Sequence, residues 1–216
     1  MLALLLASLF STISVAAVVC NPHVPRTLIP ELASCDYALR RLEFQQQQCG
    51  SRNIIFSPSA QGAFVYNLPS IFVGAGPNYI PTADTWCAIV ILWQPRPTAR
   101  LPPADEDAFP FTRILRAAHG IRDQCLVGRP GSLPQIGREW IKPRELVDVQ
   151  IAGVFRQDIV DNTQKDRHDA ALAGKNVTLK LADGTSLDVA LDMLKGDMGC
   201  GNLITGLERS NSSALD

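Results

Sequence analysis

The longest apolar run outside the first seventeen residues lies at residues 86–93, and it is rich in β-branched side chains. A strand with one face in water would alternate apolar and polar residues. This unbroken run therefore predicts a strand that is buried on both faces. We expect the rest of the fold to form around it.

A second long strand is predicted at residues 146–154, where valine and isoleucine alternate with Asp148 and Gln150. Such alternation is typical of an antiparallel strand with one face in the core and the other in water. We therefore expect Asp148 and Gln150 to point into solvent, and the strand to pair with the central one.

Two helices are predicted, at residues 31–46 and 111–127, because each carries apolar side chains at helical spacing. The acidic residues 105–107 suit the N-terminus of the second helix. Gly120 lies inside that helix, where glycine costs about 1 kcal/mol relative to alanine, and it suggests a close approach by a neighbouring element. The apolar positions are Leu32, Cys35, Leu39 and Leu42 in the first helix, and Ile114, Ala118, Ile121 and Cys125 in the second.

Shorter strands are predicted at residues 53–56 and 62–66, since both segments are rich in β-forming residues. Residues 68–77 contain proline and glycine and are predicted to form a loop that leads to the central strand. The segment that ends at Pro143 is rich in turn-forming residues, so no strand is predicted there.

Near the C-terminus, the pair Asp183-Gly184 separates two alternating segments, at residues 177–181 and 186–191. An Asp-Gly pair in this position predicts a β-hairpin. Residues 156–175 are polar and charged and are interpreted as a linker.

Residues 1–17 have the apolar core and the small residues of a secretory signal peptide. A signal anchor is the alternative, but the apolar run is short for a membrane span and is interrupted by hydroxyl residues. The chain is therefore predicted to be secreted, with a main domain at residues 18–155. Residues 156–216 would supply the linker, the hairpin and a flexible tail.

The six cysteines are an even number, and in an oxidising compartment up to three disulfides are expected. No C-x-x-C pair is present, so a zinc site has no support. The fifteen possible connectivities stay open. Their positions favour pairing of the helix and central-strand cysteines with one another or with Cys49, with Cys20 or Cys200 outermost. The six are Cys20, Cys35, Cys49, Cys87, Cys125 and Cys200.

The formal net charge is −1, and basic residues are spread thinly, which argues against nucleic acid as a partner. No cofactor or metal site is predicted. His119 is interpreted as a partly buried structural residue of the second helix. Asp161, Asp166, His168 and Asp169 lack the glycine turn and spacing of a calcium loop and are assigned to the solvated linker.

No nucleophile motif is present, so no catalytic residue is assigned and an enzyme is the less favoured interpretation. A carbohydrate-active or carbohydrate-binding protein is the main alternative. Exposure of Trp140 near Glu139 or Glu145 would favour it, and burial of Trp140 against the second helix would count against it. Two sequons, at Asn176 and Asn211, are candidate glycosylation sites.

Several short segments give the chain a resemblance to small secreted cysteine-containing proteins of fungi, a group that includes effector candidates. The resemblance spans residues 34–153, departs from that group at residues 128–131 and implies an architecture more than an activity. The segments are SCDYALRRL (34–42), NLP (67–69), CAIVI (87–91), RAAHGIRDQC (116–125) and VDVQIAG (147–153).

The predicted fold is therefore α+β, with two helices packed on a small, mostly antiparallel sheet, braced by disulfides and followed by a hairpin appendage. The favoured function is that of a secreted, non-enzymatic, effector-like monomer that binds a host protein or a cell-wall polysaccharide. Besides the carbohydrate alternative, the compact disulfide-braced architecture leaves a toxin-like protein as a further possibility.

Overall fold

The computed structural model describes residues 18–59, 65–75, 80–97, 105–128, 131–160, 176–181 and 184–190. The predicted signal peptide, Cys200 and Asn211 lie outside these residues. The described elements are β1 (Val19–Asn21), a 3-10 turn (Arg26–Leu28), α1 (Leu32–Cys49), β2 (Asn53–Ser57), β3 (Val65–Asn67), β4 (Ser70–Val73), β5 (Thr85–Trp93), β6 (Asp107–Pro110), α2 (Thr112–Ile121), a π-helical segment (Arg122–Val127), β7 (Ile136–Trp140), β8 (Val147–Phe155), β9 (Asn176–Lys180) and β10 (Ser186–Ala190).

The predicted α+β class is confirmed, with helices packed against mostly antiparallel sheets. The main sheet has the order β1-β7-β8-β5-β4, and every neighbouring pair in it is antiparallel. Strand β5 is buried on both faces, as its unbroken apolar run predicts. Cys87, Ile89 and Ile91 belong to one buried cluster, whereas Trp86 and Val90 belong to another on the opposite face.

Helices α1 and α2 pack on the same face of this sheet. Helix α1 extends three residues beyond its predicted end, because Gln45 and Cys49 are buried and the chain leaves the helix only at Gly50. That glycine adopts a φ of +67°, which favours a residue without a side chain. The second predicted helix is present, but it divides into α2 and the π-helical segment.

Two ion pairs join the helices on their outer sides. Arg122 Nε lies 2.8 Å from Asp36 Oδ1, and His119 Nε2 lies 3.2 Å from Glu43 Oε1. The close approach expected at Gly120 is absent. A Cβ atom there would meet its nearest neighbour, Glu139 Oε2, at 3.4 Å, which is an ordinary contact.

Two disulfides connect the layers. Cys35 on α1 is bonded to Cys87 on β5, and Cys20 on β1 is bonded to Cys125 in the π-helical segment. The first agrees with the favoured pairing, whereas the second does not, because β1 pairs with β7 directly beneath Cys125. None of the described cysteines is free, Cys49 included.

A smaller sheet of order β3-β2-β6 closes one end of the core with the aromatic rings of Phe56, Tyr66 and Phe109. The prediction that residues 105–107 are helix N-terminal charges is wrong for Asp107. This residue begins β6 and is buried, because it pairs with Phe56 in the register of the two strands.

Three strands of the main sheet, β1, β4 and β7, were not predicted. Strand β4 replaces the expected loop and lies at one edge, where Arg41 Nη1 donates to Val73 O (3.1 Å). Ser34 Oγ donates to Gly74 O (2.9 Å) and accepts the N–H of Cys87 (2.9 Å). These bonds from α1 occupy the carbonyl oxygens of Val73 and Gly74 at the C-terminal end of β4. Strand β7 lies in the stretch predicted to contain only turns.

The predicted hairpin is confirmed as β9 and β10, which form a two-stranded antiparallel sheet. Leu179, Leu181 and Leu187 are buried against the sheet face that is turned away from the helices. The prediction that Asp148 and Gln150 point into solvent is wrong, since Asp148 is fully buried and Gln150 is 9 % exposed. Both side chains are buried because they belong to the polar network described below.

Candidate functional site

The sheet face away from the helices divides into an apolar half and a polar half. The hairpin covers the apolar half, which contains Trp86, Ala88 and Val90 of β5. The polar half follows the other end of β5 and the adjoining parts of β7 and β8. We call it the polar sheet face and define it by Gln94, Arg138, Trp140, Asp148 and Gln150.

Strand register brings the charged pair of the polar sheet face together. Arg138 on β7 lies opposite Gln150 on β8, and Trp140 lies opposite Asp148. Directly opposed residues project to the same side of a sheet, so all four side chains share one surface. Both carboxylate oxygens of Asp148 accept hydrogen bonds from Arg138, and Gln150 Nε2 donates to Oδ2 as well.

This network explains how a carboxylate can be buried in the sheet. Burial raises the pKa of Asp148, and the hydrogen bond from Gln150 and the charge of Arg138 oppose that rise. A buried charge that loses its partner is strongly destabilising, so Arg138 and Asp148 depend on each other. The guanidinium itself stays partly in solvent, with 29 % of its side chain exposed.

Arg138 also connects the network to Gln94 and Trp140. Its Nη2 atom donates to Gln94 Oε1 at 3.0 Å, and its guanidinium lies 4.0 Å from the centre of the Trp140 ring. Trp140 Nε1 donates to the backbone oxygen of Gln94 at 3.0 Å. The indole is thus held from two sides by atoms of the polar sheet face.

A second ion pair borders the same indole. Arg96 Nη1 lies 3.0 Å from Glu145 Oε1, and the Arg96 guanidinium lies 5.5 Å from the Trp140 ring centre. Both distances to the ring lie within the range of cation–π attraction. Two arginines and two carboxylates therefore surround one tryptophan.

A groove of about 340 Å³ runs beside this cluster and crosses strands β1, β7, β8 and β5. Thr185 of the hairpin borders it. Its lining mixes amide, guanidinium and aliphatic groups and includes Asn21, Leu92, Gln94, Arg138, Gln150 and Thr185. The volume falls within the range of natural ligand sites.

The site residues considered from the sequence have different outcomes. Trp140 is half-buried and does not pack against α2, and Glu145 is close to it through Arg96. Glu139 adjoins Trp140 in the chain but lies on the helix side of the sheet, where burial raises its pKa. Arg138 and Asp148 were not suggested as site residues, because only the pairing of β7 with β8 brings them together.

The other residues considered from the sequence are not among those that define the polar sheet face. Asn176 begins β9, and the acidic cluster with His168 lies outside the described residues. Among the residues that the structure describes, no group of three or more histidine, cysteine, aspartate or glutamate side chains could hold a metal ion. None of the described helices combines the length and the apolar character that a membrane span requires.

Comparison with known proteins gives no relative: no protein-family model, no curated protein and no solved structure matches the chain. The groove and its polar network therefore carry the functional argument.

Proposed function

We propose that this protein is a secreted, non-enzymatic binding protein, effector-like in the sense of acting on an external surface, and that the polar sheet face binds cell-wall polysaccharide. The observation that carries the proposal is the groove lined by Gln94, Arg138 and Gln150, where the Arg138 guanidinium is held by Asp148 and lies against the Trp140 ring. The two disulfides are compatible with an oxidising, extracellular environment.

The chemistry of the groove suits a sugar chain. Sugar hydroxyls both donate and accept hydrogen bonds, and amide and guanidinium groups offer several such positions in fixed planes. Gln94 is exposed at the groove, and Arg138 is half-exposed there. The groove crosses four strands and is open, so a chain could lie along it instead of entering end-on.

The arrangement favours binding over catalysis. Asp148 is held by Arg138 and Gln150, and Glu145 is paired with Arg96. A general acid or a nucleophile must reach the substrate directly. Asp148 and Glu145, which are already held in this way, orient the surface and are poorly placed to transfer a proton to a substrate.

The test is a capture experiment with the oxidised protein that lacks residues 1–17, offered chitin, β-glucan and cellulose in parallel. We expect retention on at least one polymer and a loss of about tenfold or more in affinity for Gln94→Ala and Trp140→Ala. Phe44→Ala, on the exposed side of α1, is the control and should bind as the wild type does. Equal retention of all three variants, or no retention of the wild type, would contradict the proposal.

A second candidate function, binding of a host protein, is favoured by one feature of α1. Phe44 is 61 % exposed, and with Tyr37, Arg40, Arg41 and Phe72 it lines a shallow hollow of about 230 Å³. Exposed aromatic and arginine side chains are common anchors in protein interfaces. Recovery of one host extracellular protein by the wild type, together with its loss in Phe44→Ala, would support this candidate over the polysaccharide.

A further inference from the structure

The charges of the polar sheet face and of the Arg96–Glu145 pair beside it indicate which sugars this surface can accept. Arg138 is paired with Asp148, and Arg96 is paired with Glu145. Both pairs lie against the ring of Trp140. The two positive and the two negative charges therefore cancel within the surface itself.

The hydrogen bonds of Arg138 show what is left for a ligand. A guanidinium has five N–H donors. Nε donates to Asp148 Oδ1, and Nη2 donates to Asp148 Oδ2 and to Gln94 Oε1. Within the described part of the chain, the two hydrogens on Nη1 and the amide nitrogen of Gln94 have no hydrogen-bond acceptor, so they can face the groove.

These donors fit neutral hydroxyl groups better than carboxylates. A sugar acid would need an uncompensated positive charge, and here the carboxylates of Asp148 and Glu145 already hold both guanidiniums. A third carboxylate would find little net attraction at the two neutral pairs and would also lose its hydration. A hydroxyl group loses much less hydration.

We infer that the polar sheet face selects neutral oligosaccharides and rejects acidic ones, with Asp148 and Glu145 as the specificity-determining residues. This inference rests on the proposed function. It assigns the two carboxylates a role besides folding, because they neutralise the arginines that would otherwise attract acidic chains.

Titration calorimetry with hexasaccharides tests the inference, using neutral β-glucan, cellulose and chitin fragments and the acidic hexagalacturonate. The wild type should bind a neutral fragment about tenfold or more tightly than the acidic one. Asp148→Asn and Glu145→Gln should each raise the affinity for hexagalacturonate by about tenfold, because each releases one guanidinium. Asp36→Asn is the matched control, since it removes one negative charge beside Arg122 on the helix side and should change neither affinity.

Each outcome separates the inference from the proposed function. A wild type that prefers hexagalacturonate, or variants whose affinity for it does not rise, would overturn the inference and leave polysaccharide binding in place. A wild type that binds none of the fragments would overturn both. Glu145→Gln alters a partly exposed pair, so it keeps the test valid even when Asp148→Asn fails to fold.

Discussion

At the residue scale, Asp107 is an acidic group in an unfavourable position. It is 4 % exposed at the start of β6, and Oδ1 accepts the N–H of Ala108 at 3.0 Å. Its other oxygen, Oδ2, has no hydrogen-bond partner in the described structure. Burial raises the pKa of Asp107, while the bond from Ala108 and the charges of Arg144 and Arg113 oppose the rise.

The direction of this shift predicts how stability depends on pH. A carboxyl with a raised folded-state pKa favours folding most below its unfolded pKa, near 4. That contribution is lost as the pH rises through the folded pKa. The stability of Asp107→Asn relative to the wild type should therefore rise with pH, as measured by urea denaturation between about pH 3.5 and 7. Asp105→Asn, at an exposed position in the same segment, should keep the wild-type curve.

A loss of stability at pH 7 in Asp107→Asn, larger than that at pH 4, would contradict this prediction. It would mean that attraction to Arg113 and Arg144 outweighs the cost of burial. The two arginines donate to backbone oxygens of Lys142 and Glu106, so their hydrogen bonds remain in the variant.

At the element scale, the contact of α2 and the π-helical segment with β7 depends on one glycine. A Cβ atom on Gly137 would lie 2.5 Å from Cys125 Sγ and 2.9 Å from Ile121 Cγ2, so the helix could not stay in place. Gly137→Ala should lower the unfolding free energy by about 1–3 kcal/mol, the usual cost of overpacking. Gly120→Ala is the matched comparison, because its nearest contact would be 3.4 Å and alanine favours a helix by up to about 1 kcal/mol.

Chemical denaturation of the two variants checks the comparison. The expected order of stability is Gly120→Ala, then wild type, then Gly137→Ala. Equal destabilisation by both would show that space around α2 is limited throughout and that Gly120 is needed for close approach after all.

The sequence predicts best the elements whose own residues identify them, without reference to neighbouring strands. The unbroken run of β5 requires cover on both faces, and the Asp-Gly pair specifies the hairpin between β9 and β10. Strands β1, β4, β6 and β7 were missed because they are short and contain or adjoin proline or glycine. Polar alternation in β8 was correctly recognised, but alternation cannot distinguish a side chain in water from one bonded to Arg138 on the next strand.

The same reason limits prediction of the candidate site. Trp140 and Glu145 were noted from their residue types, whereas Arg138 and Asp148 become partners only through the register of β7 and β8. Glu139 was considered with Trp140 because they are adjacent in the chain. Adjacent strand residues project to opposite faces, which places Glu139 beside α2.

At the scale of the whole molecule, the sheet has a layer on each side, and the two layers differ in kind. The helices are joined to the rest by covalent bonds, through Cys35–Cys87 and Cys20–Cys125. For the hairpin, the described contacts are apolar side chains, one bridge between Val154 and Leu181, and a hydrogen bond to Asp158. Its attachment to the sheet therefore relies mainly on apolar burial.

This arrangement predicts that the hairpin unfolds together with the main sheet. Leu179 is fully buried in the cluster that contains Trp86 and Val90, so Leu179→Ala should cost about 2–5 kcal/mol and lower the temperature of the main unfolding transition. Lys180→Ala, at the exposed neighbouring position, should leave that transition unchanged. The measurement is thermal unfolding monitored by tryptophan fluorescence, and a hydrophobic dye reports exposure of the apolar half of the sheet. A Leu179→Ala variant that binds dye while the main transition stays in place would show instead that the hairpin is a separable cover, and that the sheet beneath it is stable alone.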